Sequence, residues 1–217
     1  MAKYPTPGLV KTRLAAAIGP EGASALHRAF IVDLAARLRK LPWPVTWAFW
    51  PPESAFADLV AGQRAIPQHG RDLGERLETA LGGLLTTGAR RPVLALGADA
   101  PHVPLTALRG AVRALSGSAD VVLGPAYDGG YYLLGLREPA PPLFRDIPWG
   151  TSAVLETTEA RACAAGLIVH RVDATFDVDG PADLEMLRQV AFRVPWLPHT
   201  KAVLATIHPM SGPENPP

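Results

Sequence analysis

The chain has 217 residues, 48% of them hydrophobic, and a formal net charge of +1. That balance fits a globule with a real core and excludes the broad basic footprint of a nucleic-acid binder. The one cysteine, Cys163, excludes an intrachain disulfide or a Cys-rich zinc site, and no apolar run approaches the ~20 residues that cross a bilayer.

The chain opens on Met1-Ala-Lys-Tyr-Pro-Thr-Pro-Gly-Leu-Val-Lys-Thr-Arg-Leu14. Pro5, Pro7 and Gly8 restrict the path, and Lys11 and Arg13 arrive where a helical run, Leu14 to Ile18, begins. A helix start carries unpaired N–H groups and a positive dipole end, so two cations there mark a phosphate or nucleotide site. Pro20 to Leu41 has apolar residues at helical spacing, and Val45 to Trp50 is a strand. Leu73 to Leu85 predicts an amphipathic helix, Pro92 to Leu96 a buried strand and Pro104 to Leu115 a helix. Asp120 to Leu123 and Tyr131 to Leu136 predict strands. A helix over Thr151 to Ala165, a strand over Leu167 to Val172 and a helix over Pro181 to Val190 complete the alternation. Such alternation implies an α/β fold with a mainly parallel sheet covered on both faces. We expect one domain over 1–191 and a Pro-rich tail over 192–217, in which Trp196, Leu197 and 203–207 can still dock on the body. The far end of the tail is expected to be mobile. Cys163 is expected to be a buried helix residue, and His27 and His170 structural. Without a signal peptide, the cytoplasm is the expected location.

Four constellations can carry chemistry. Asp99 follows the strand ending at Leu96, and in open α/β sheets ligands gather at the carboxyl ends of strands. A carboxylate there can hold Mg²⁺ or Mn²⁺, or it can cap the next turn. Asp177 and Asp179 precede a helix that Pro181 opens, so one can face a metal while the other faces the backbone. Asp128, Gly129 and Gly130 read equally as a hairpin turn and as a place where a ligand meets the backbone; Tyr131 and Tyr132 can stack on a ligand or fill the core. Gln68, His69, Gly70 and Arg71 form a polar loop suited to a base or sugar, while Asp72-x-x-Glu75 is a capping box. Trp149 precedes the cap residues Thr151 and Ser152 and favours a core role over that of a ligand platform. No serine-hydrolase elbow, zincin motif or Walker loop is present.

Taken in order, A-K-Y-P-T-P-G-x-V-K-T-R-L, Q-x-G-x-D-L-G-E-R-L, G-A-D-A-P, D-G-G-Y-Y-L-L-G-L, P-W-G-T-S-x-V-L and D-V-D-G-P-A-D-L resemble one family over about Ala2 to Leu187. It is the bacterial glycosyltransferase-like family grouped with arsenosugar biosynthesis and radical-enzyme-associated transferases. That family is similar to phospholactate guanylyltransferase and molybdenum-cofactor guanylyltransferase, which share the nucleotide-diphospho-sugar transferase (GT-A) fold. The resemblance implies a Rossmann-like three-layer α/β/α fold with a mixed, mainly parallel sheet. It places Lys11 and Arg13, with Pro7 and Gly8, on nucleotide phosphates, and Gln68, Gly70 and Asp72 near the base or sugar. Asp99 with Asp177 or Asp179 would hold Mg²⁺ or Mn²⁺. Gly129 and Gly130 would shape the acceptor side, which we extend to Tyr131 and Trp149. Three departures stand out. The apolar first strand expected before Ala2 is missing, which points to a longer natural N-terminus; the D-x-D metal pair is reduced to Asp99-Ala-Pro101; and G-x-G-x-R is absent.

The expected activity is metal-dependent glycosyl transfer from a nucleotide-diphospho-sugar to a small-molecule acceptor, with no nucleic-acid or membrane partner. Lys11, Arg13 and Asp99 would be its catalytic groups, and Asp128, Asp177 and Asp179 candidate bases. The alternatives are a nucleotidyltransferase that releases pyrophosphate and a non-catalytic nucleotide-binding protein.

Overall fold

The computed structural model describes residues 1–52, 55–87 and 91–207. Residues 208–217, which hold His208 and the last four prolines of the expected tail, lie outside the described residues. Among the described residues, seven strands and six α-helices follow one another as β1 (Ala2–Lys3), α1 (Thr12–Leu38), β2 (Thr46–Trp50), β3 (Arg64–Pro67), α2 (Leu73–Thr86), β4 (Val93–Leu96), α3 (Leu105–Ser116), β5 (Val121–Pro125), β6 (Tyr131–Leu136), α4 (Val154–Ala164), β7 (Val169–Arg171), α5 (Pro181–Arg193) and α6 (Pro198–Thr206). Short 3-10 turns lie at Phe56–Val60 and Pro141–Phe144.

The strands form one parallel sheet in the order β1-β2-β3 and a mixed one in the order β4-β6-β5-β7. Met1 joins them. Its amine donates to the Leu96 carbonyl at 2.9 Å, and Ala98 N–H donates to the Met1 carbonyl at 3.0 Å. β1 is a two-residue stub at the seam of the layer. It ends before Pro5, which has no N–H to offer the ladder. β6 runs antiparallel to both β4 and β5, and the other pairings are parallel.

Alternation along the strands builds three layers. Val121, Leu123, Leu134 and Leu136 face Leu77 and Leu81 of α2 and Ala162 of α4. Val122 and Leu133 face Leu108, Ala111 and Leu115 of α3. On the same side as α3, Ile31, Leu34 and Ala35 of α1 cover Trp47 and Phe49 of β2. Gly135 lets α3 approach, since a Cβ there would lie 2.8 Å from a Leu115 methyl. α4 buries Val154, Thr158 and Ala162, four residues apart, which turns Cys163 out to solvent. The expectation of a buried cysteine is thus corrected by helix phase.

α1 breaks at Gly19 (φ 77°), where Pro20 restarts it, so its first turns are aimed separately from its body. The segment after Phe192 is well packed as far as Ile207. Leu197 and Leu204 join Leu26, Phe30, Leu184 and Leu187 in one cluster, with Trp196, Val203 and Ile207 against it. Pro198 occupies the first turn of α6, where a missing N–H costs nothing. Asp33 of α1, whose side chain has no exposure, caps that helix. Its carboxylate accepts from His199 N–H (3.1 Å), Thr200 N–H (2.8 Å) and the His199 ring (2.8 Å). One turn on, the buried Arg37 donates to the Pro101 and Val103 carbonyls and lies 5.0 Å from the centre of the Trp196 ring. Among the described residues no helix is long and apolar enough to cross a membrane.

Candidate functional site

The loop between β1 and α1 is built to present Lys11. Thr6 to Leu9 close a tight turn through Leu9 N–H to the Thr6 carbonyl (3.1 Å), with Pro7 and Gly8 (φ 76°) in its corner. That is the sequence and geometry of a type II turn. Ser24 Oγ of α1 donates to the Pro5 carbonyl at 2.6 Å and pins the loop's entry. Val10 is buried, and Lys11 then takes a left-handed conformation (φ 50°, ψ 44°), uncommon for a side chain with a Cβ. No side chain caps the start of α1, so its first N–H groups are available to an anion.

The Lys11 side chain is 4% exposed, and its ammonium contacts Asp99 Oδ1 and, at 2.8 Å, Asp179 Oδ1. Arg13, 71% exposed, holds Asp179 Oδ2 at 2.9 Å from the solvent side. Asp99 Oδ1 is buried, while the side chain as a whole keeps 41% exposure, which leaves its other oxygen on the open side. Burial works most strongly, and against ionisation of Asp99, but the charge and hydrogen bond of Lys11, with His27 and Lys3, together outweigh it and hold the carboxyl below its ordinary range. Burial likewise opposes the Lys11 charge, and Asp99 and Asp179 overcome it and push the ammonium up.

Asp177 and Asp179 are two residues apart, so they share a side of the strand-like segment. Val178 between them is fully buried in the opposite direction. The expectation that the two carboxylates would face different ways is therefore corrected. Asp183 accepts from the Asp179 and Gly180 N–H groups at 3.0 and 2.7 Å, and this frees the Asp179 side chain from capping α5. Asp177 Oδ1 is buried with no hydrogen-bond partner, and burial, then the Asp99 charge, push its carboxyl up to about 7.

His27 completes the group, although its sequence context suggested only a structural role. The ring is 3% exposed; Nε2–H donates to the Lys3 carbonyl (3.1 Å), and Nδ1 faces Asp99 Oδ1 at 3.5 Å without a hydrogen-bond partner. No motif or spacing links residue 27 to residue 99, so the sequence could not reveal the contact. His102, three residues beyond Asp99, stacks on Phe176 with ring centres 4.1 Å apart and bonds Thr175 Oγ1 at 2.8 Å. Burial lowers it to about 4.

The remaining candidates have structural duties. Gln68 Nε2 is buried and donates to the Ala48 (2.8 Å) and Ala2 (3.3 Å) carbonyls, tying β1 to β2. Gly70 (φ 145°) lies where a Cβ would meet Arg76 N at 2.7 Å. Asp72 caps α2 by accepting from Glu75 N–H at 2.9 Å, and the Glu75 carboxylate returns to Arg71 N–H. Asp128 Oδ1 accepts from Gly130 N–H (2.9 Å) inside the β5–β6 hairpin. At Gly129 (φ 88°) a Cβ would lie 2.1 Å from the Ser152 carbonyl. That close contact is with the protein's own backbone. Tyr131 and Trp149 pack edge to face, centres 6.4 Å apart, over the α2 side of the core, and Tyr132 is buried with its hydroxyl on the Asp173 carbonyl. The structure thus brings Lys11, Arg13, Asp99 and Asp179 together at the carboxyl edge of the sheet, with Asp177 two residues before Asp179.

The arrangement can hold a phosphorylated anion on Lys11, Arg13 and the open helix start. Among the described residues no three His, Cys, Asp or Glu side chains gather as a ready metal cluster. Mg²⁺ commonly takes only one or two carboxylates beside substrate phosphates, so Asp99 and Asp179, which converge on Lys11, are a pair of the right chemistry.

Comparison with known proteins bears on the fold and the family. Residues 34–151 match the family model described as "Uncharacterized protein conserved in bacteria (DUF2064)". No curated protein sequence matches the chain. A solved structure from Desulfovibrio desulfuricans G20, provisionally named a nucleotide-diphospho-sugar transferase, is 31% identical, with a TM-score of 0.88 over 94% of this chain and 91% of that one. CMP:2-keto-3-deoxy-manno-octonic acid synthetase, solved with CTP, is 14% identical with a TM-score of 0.53, over 88% of this chain and 96% of that one. That second likeness shows the fold alone.

Proposed function

Because the chain belongs to the bacterial DUF2064 family and to the nucleotide-diphospho-sugar transferase superfamily, we propose that it transfers a glycosyl group from a nucleotide-diphospho-sugar to a small acceptor. The observation that carries this reading is the Lys11 ammonium, buried between Asp99 and Asp179 beside the uncapped start of α1. A buried cation with paired carboxylates at that edge of an α/β sheet suits a diphosphate. Lys11 and Arg13 neutralise the charge that grows on the diphosphate as the bond to the sugar breaks, and the N–H groups of the first turn add fixed dipoles aimed at the same oxygens. The type II turn over Thr6 to Leu9 and the Ser24 bond hold Lys11 in place, so little reorganisation is needed when charge develops. Asp99 and Asp179, with Asp177 beside them, are the residues that would hold Mg²⁺ or Mn²⁺, which would supply further neutralisation of the diphosphate.

The two cations at the helix entry also favour a second reading, nucleotidyl transfer, in which Lys11 and Arg13 would stabilise an α-phosphate under attack. The released product separates the two. A panel of nucleotides and nucleotide sugars, with and without Mn²⁺, is screened by thermal shift; a ligand at ~100 times its Kd adds ~2.7 kcal/mol. Hits are incubated with candidate acceptors. Nucleoside diphosphate supports glycosyl transfer, and pyrophosphate supports the second reading. A shift that survives intact in a Lys11→Met/Arg13→Gln double variant refutes the assigned site.

A further inference from the structure

Resting on the reading above, we infer that the Lys11 ammonium is a resident counter-ion which occupies the carboxylate cage of the ligand-free protein, so that a divalent cation enters only when a phosphate-bearing ligand draws Lys11 away. Three observations converge on this. The Lys11 side chain is the guest of the cage, 4% exposed and bound to both Asp99 and Asp179. Asp177, two residues before Asp179, keeps a buried Oδ1 without a partner. His27, itself 3% exposed, aims an unpartnered Nδ1 at the same Asp99 oxygen. These groups outnumber what one ammonium satisfies, yet while Lys11 stays in place an arriving dication meets a like charge at contact range.

The exit route is also built. The Lys side chain is a compact charge on a flexible four-carbon stem, able to swing where a planar guanidinium is held by its fork. The uncapped first turn of α1 adjoins the Lys11 backbone, and an anion seated on those N–H groups competes with the carboxylates for the ammonium. Anion binding and cation binding then favour each other, and thermodynamic linkage makes that coupling reciprocal. The consequence is an order of assembly in which the cage takes no free metal from its surroundings and accepts one together with the donor.

Mn²⁺ alone, counted by the electron paramagnetic resonance signal of the free ion, tests this on the full chain. Wild type is expected to bind Mn²⁺ weakly, Lys11→Met to bind it about tenfold or more tightly, and Lys11→Arg, which keeps the charge, to stay near wild type. Adding Asp99→Asn to Lys11→Met should abolish the gain. Equal affinity in wild type and Lys11→Met overturns the inference and leaves the transferase reading standing. Absence of binding in every variant, with folding verified by circular dichroism, overturns it by showing that the cage is no cation site. If Lys11→Met does not fold, Lys11→Gln, which restores a polar partner for the carboxylates, carries the same comparison. A positive Mn²⁺ result combined with a silent nucleotide panel would instead sustain the counter-ion role and defeat the transferase reading.

Discussion

Two buried groups near the site should pull stability in opposite directions as pH changes, and separating them tests the electrostatics described above. The Asp177 carboxyl sits at about 7 in the fold, against an ordinary value of 3.8. Below pH 4 it is protonated in both states and has no effect. As pH rises towards 7 the unfolded chain ionises first, so the fold loses stability, by roughly 4 kcal/mol at about 1.4 kcal/mol per tenfold change in proton affinity. His102 does the reverse. It sits at about 4, against an ordinary 6.5, because burial disfavours its charged form. Above pH 6.5 it is neutral in both states, and as pH falls towards 4 the unfolded chain takes up the proton, at a cost of roughly 3 kcal/mol. Between pH 4.5 and 6 the Asp177 and His102 contributions oppose each other, and the buried His27, also held below its ordinary value, adds to the His102 side. Urea unfolding at half-unit steps from pH 4 to 8, without added metal, measures the differences. Asp177→Asn should expose the His102 slope, with stability rising by ~1.4 kcal/mol per pH unit up to about 6.5. His102→Gln should expose the Asp177 slope, with stability falling over the same interval. If Asp177→Asn parallels the wild type throughout, Asp177 is not the buried, partner-poor carboxylate described here, and its place in the cage is wrong.

Two other perturbations follow from the structure. Asp33→Ala leaves the His199 and Thr200 N–H groups without their acceptor at a fully buried position and should cost about 3–5 kcal/mol in urea unfolding, with faster hydrogen exchange confined first to α6. Arg13→Gln removes a largely exposed ion pair and should change stability by under ~1 kcal/mol, while weakening the binding of any nucleotide found by thermal shift about tenfold.

Much of the site could be read from the chain because its parts announce themselves locally. Lys11 and Arg13 follow a Pro-Gly turn into a helix, and Asp99 ends an apolar strand, so both belong at the carboxyl edge of a sheet before any contact is known. What could not be read is which oxygen meets which nitrogen. The Lys11–Asp99 contact joins residues 88 positions apart, and His27 enters it from the far side of the Gly19 break. Gln68 looked like a ligand-binding amide because a polar side chain in a loop carries no mark that it is committed to backbone carbonyls. β3 escaped notice because Arg64–Pro67 is four residues long, pairs along one edge only and ends in proline. α6 escaped because Pro195 and Pro198 read as breakers, whereas Pro198 in fact starts the helix. In each case local propensity was overridden by a partner distant in sequence.

Asp33 and Arg37 stand one turn apart on α1, the first gripping the C-terminal helix and the second the backbone two residues past Asp99. Trp196 roofs the guanidinium between those two duties. The aim of the carboxylate that meets Lys11 is thus set by a clamp whose other jaw lies a hundred positions downstream. A chain cut after α5 would still possess every group named in the site and would have lost the brace that keeps one of them pointed.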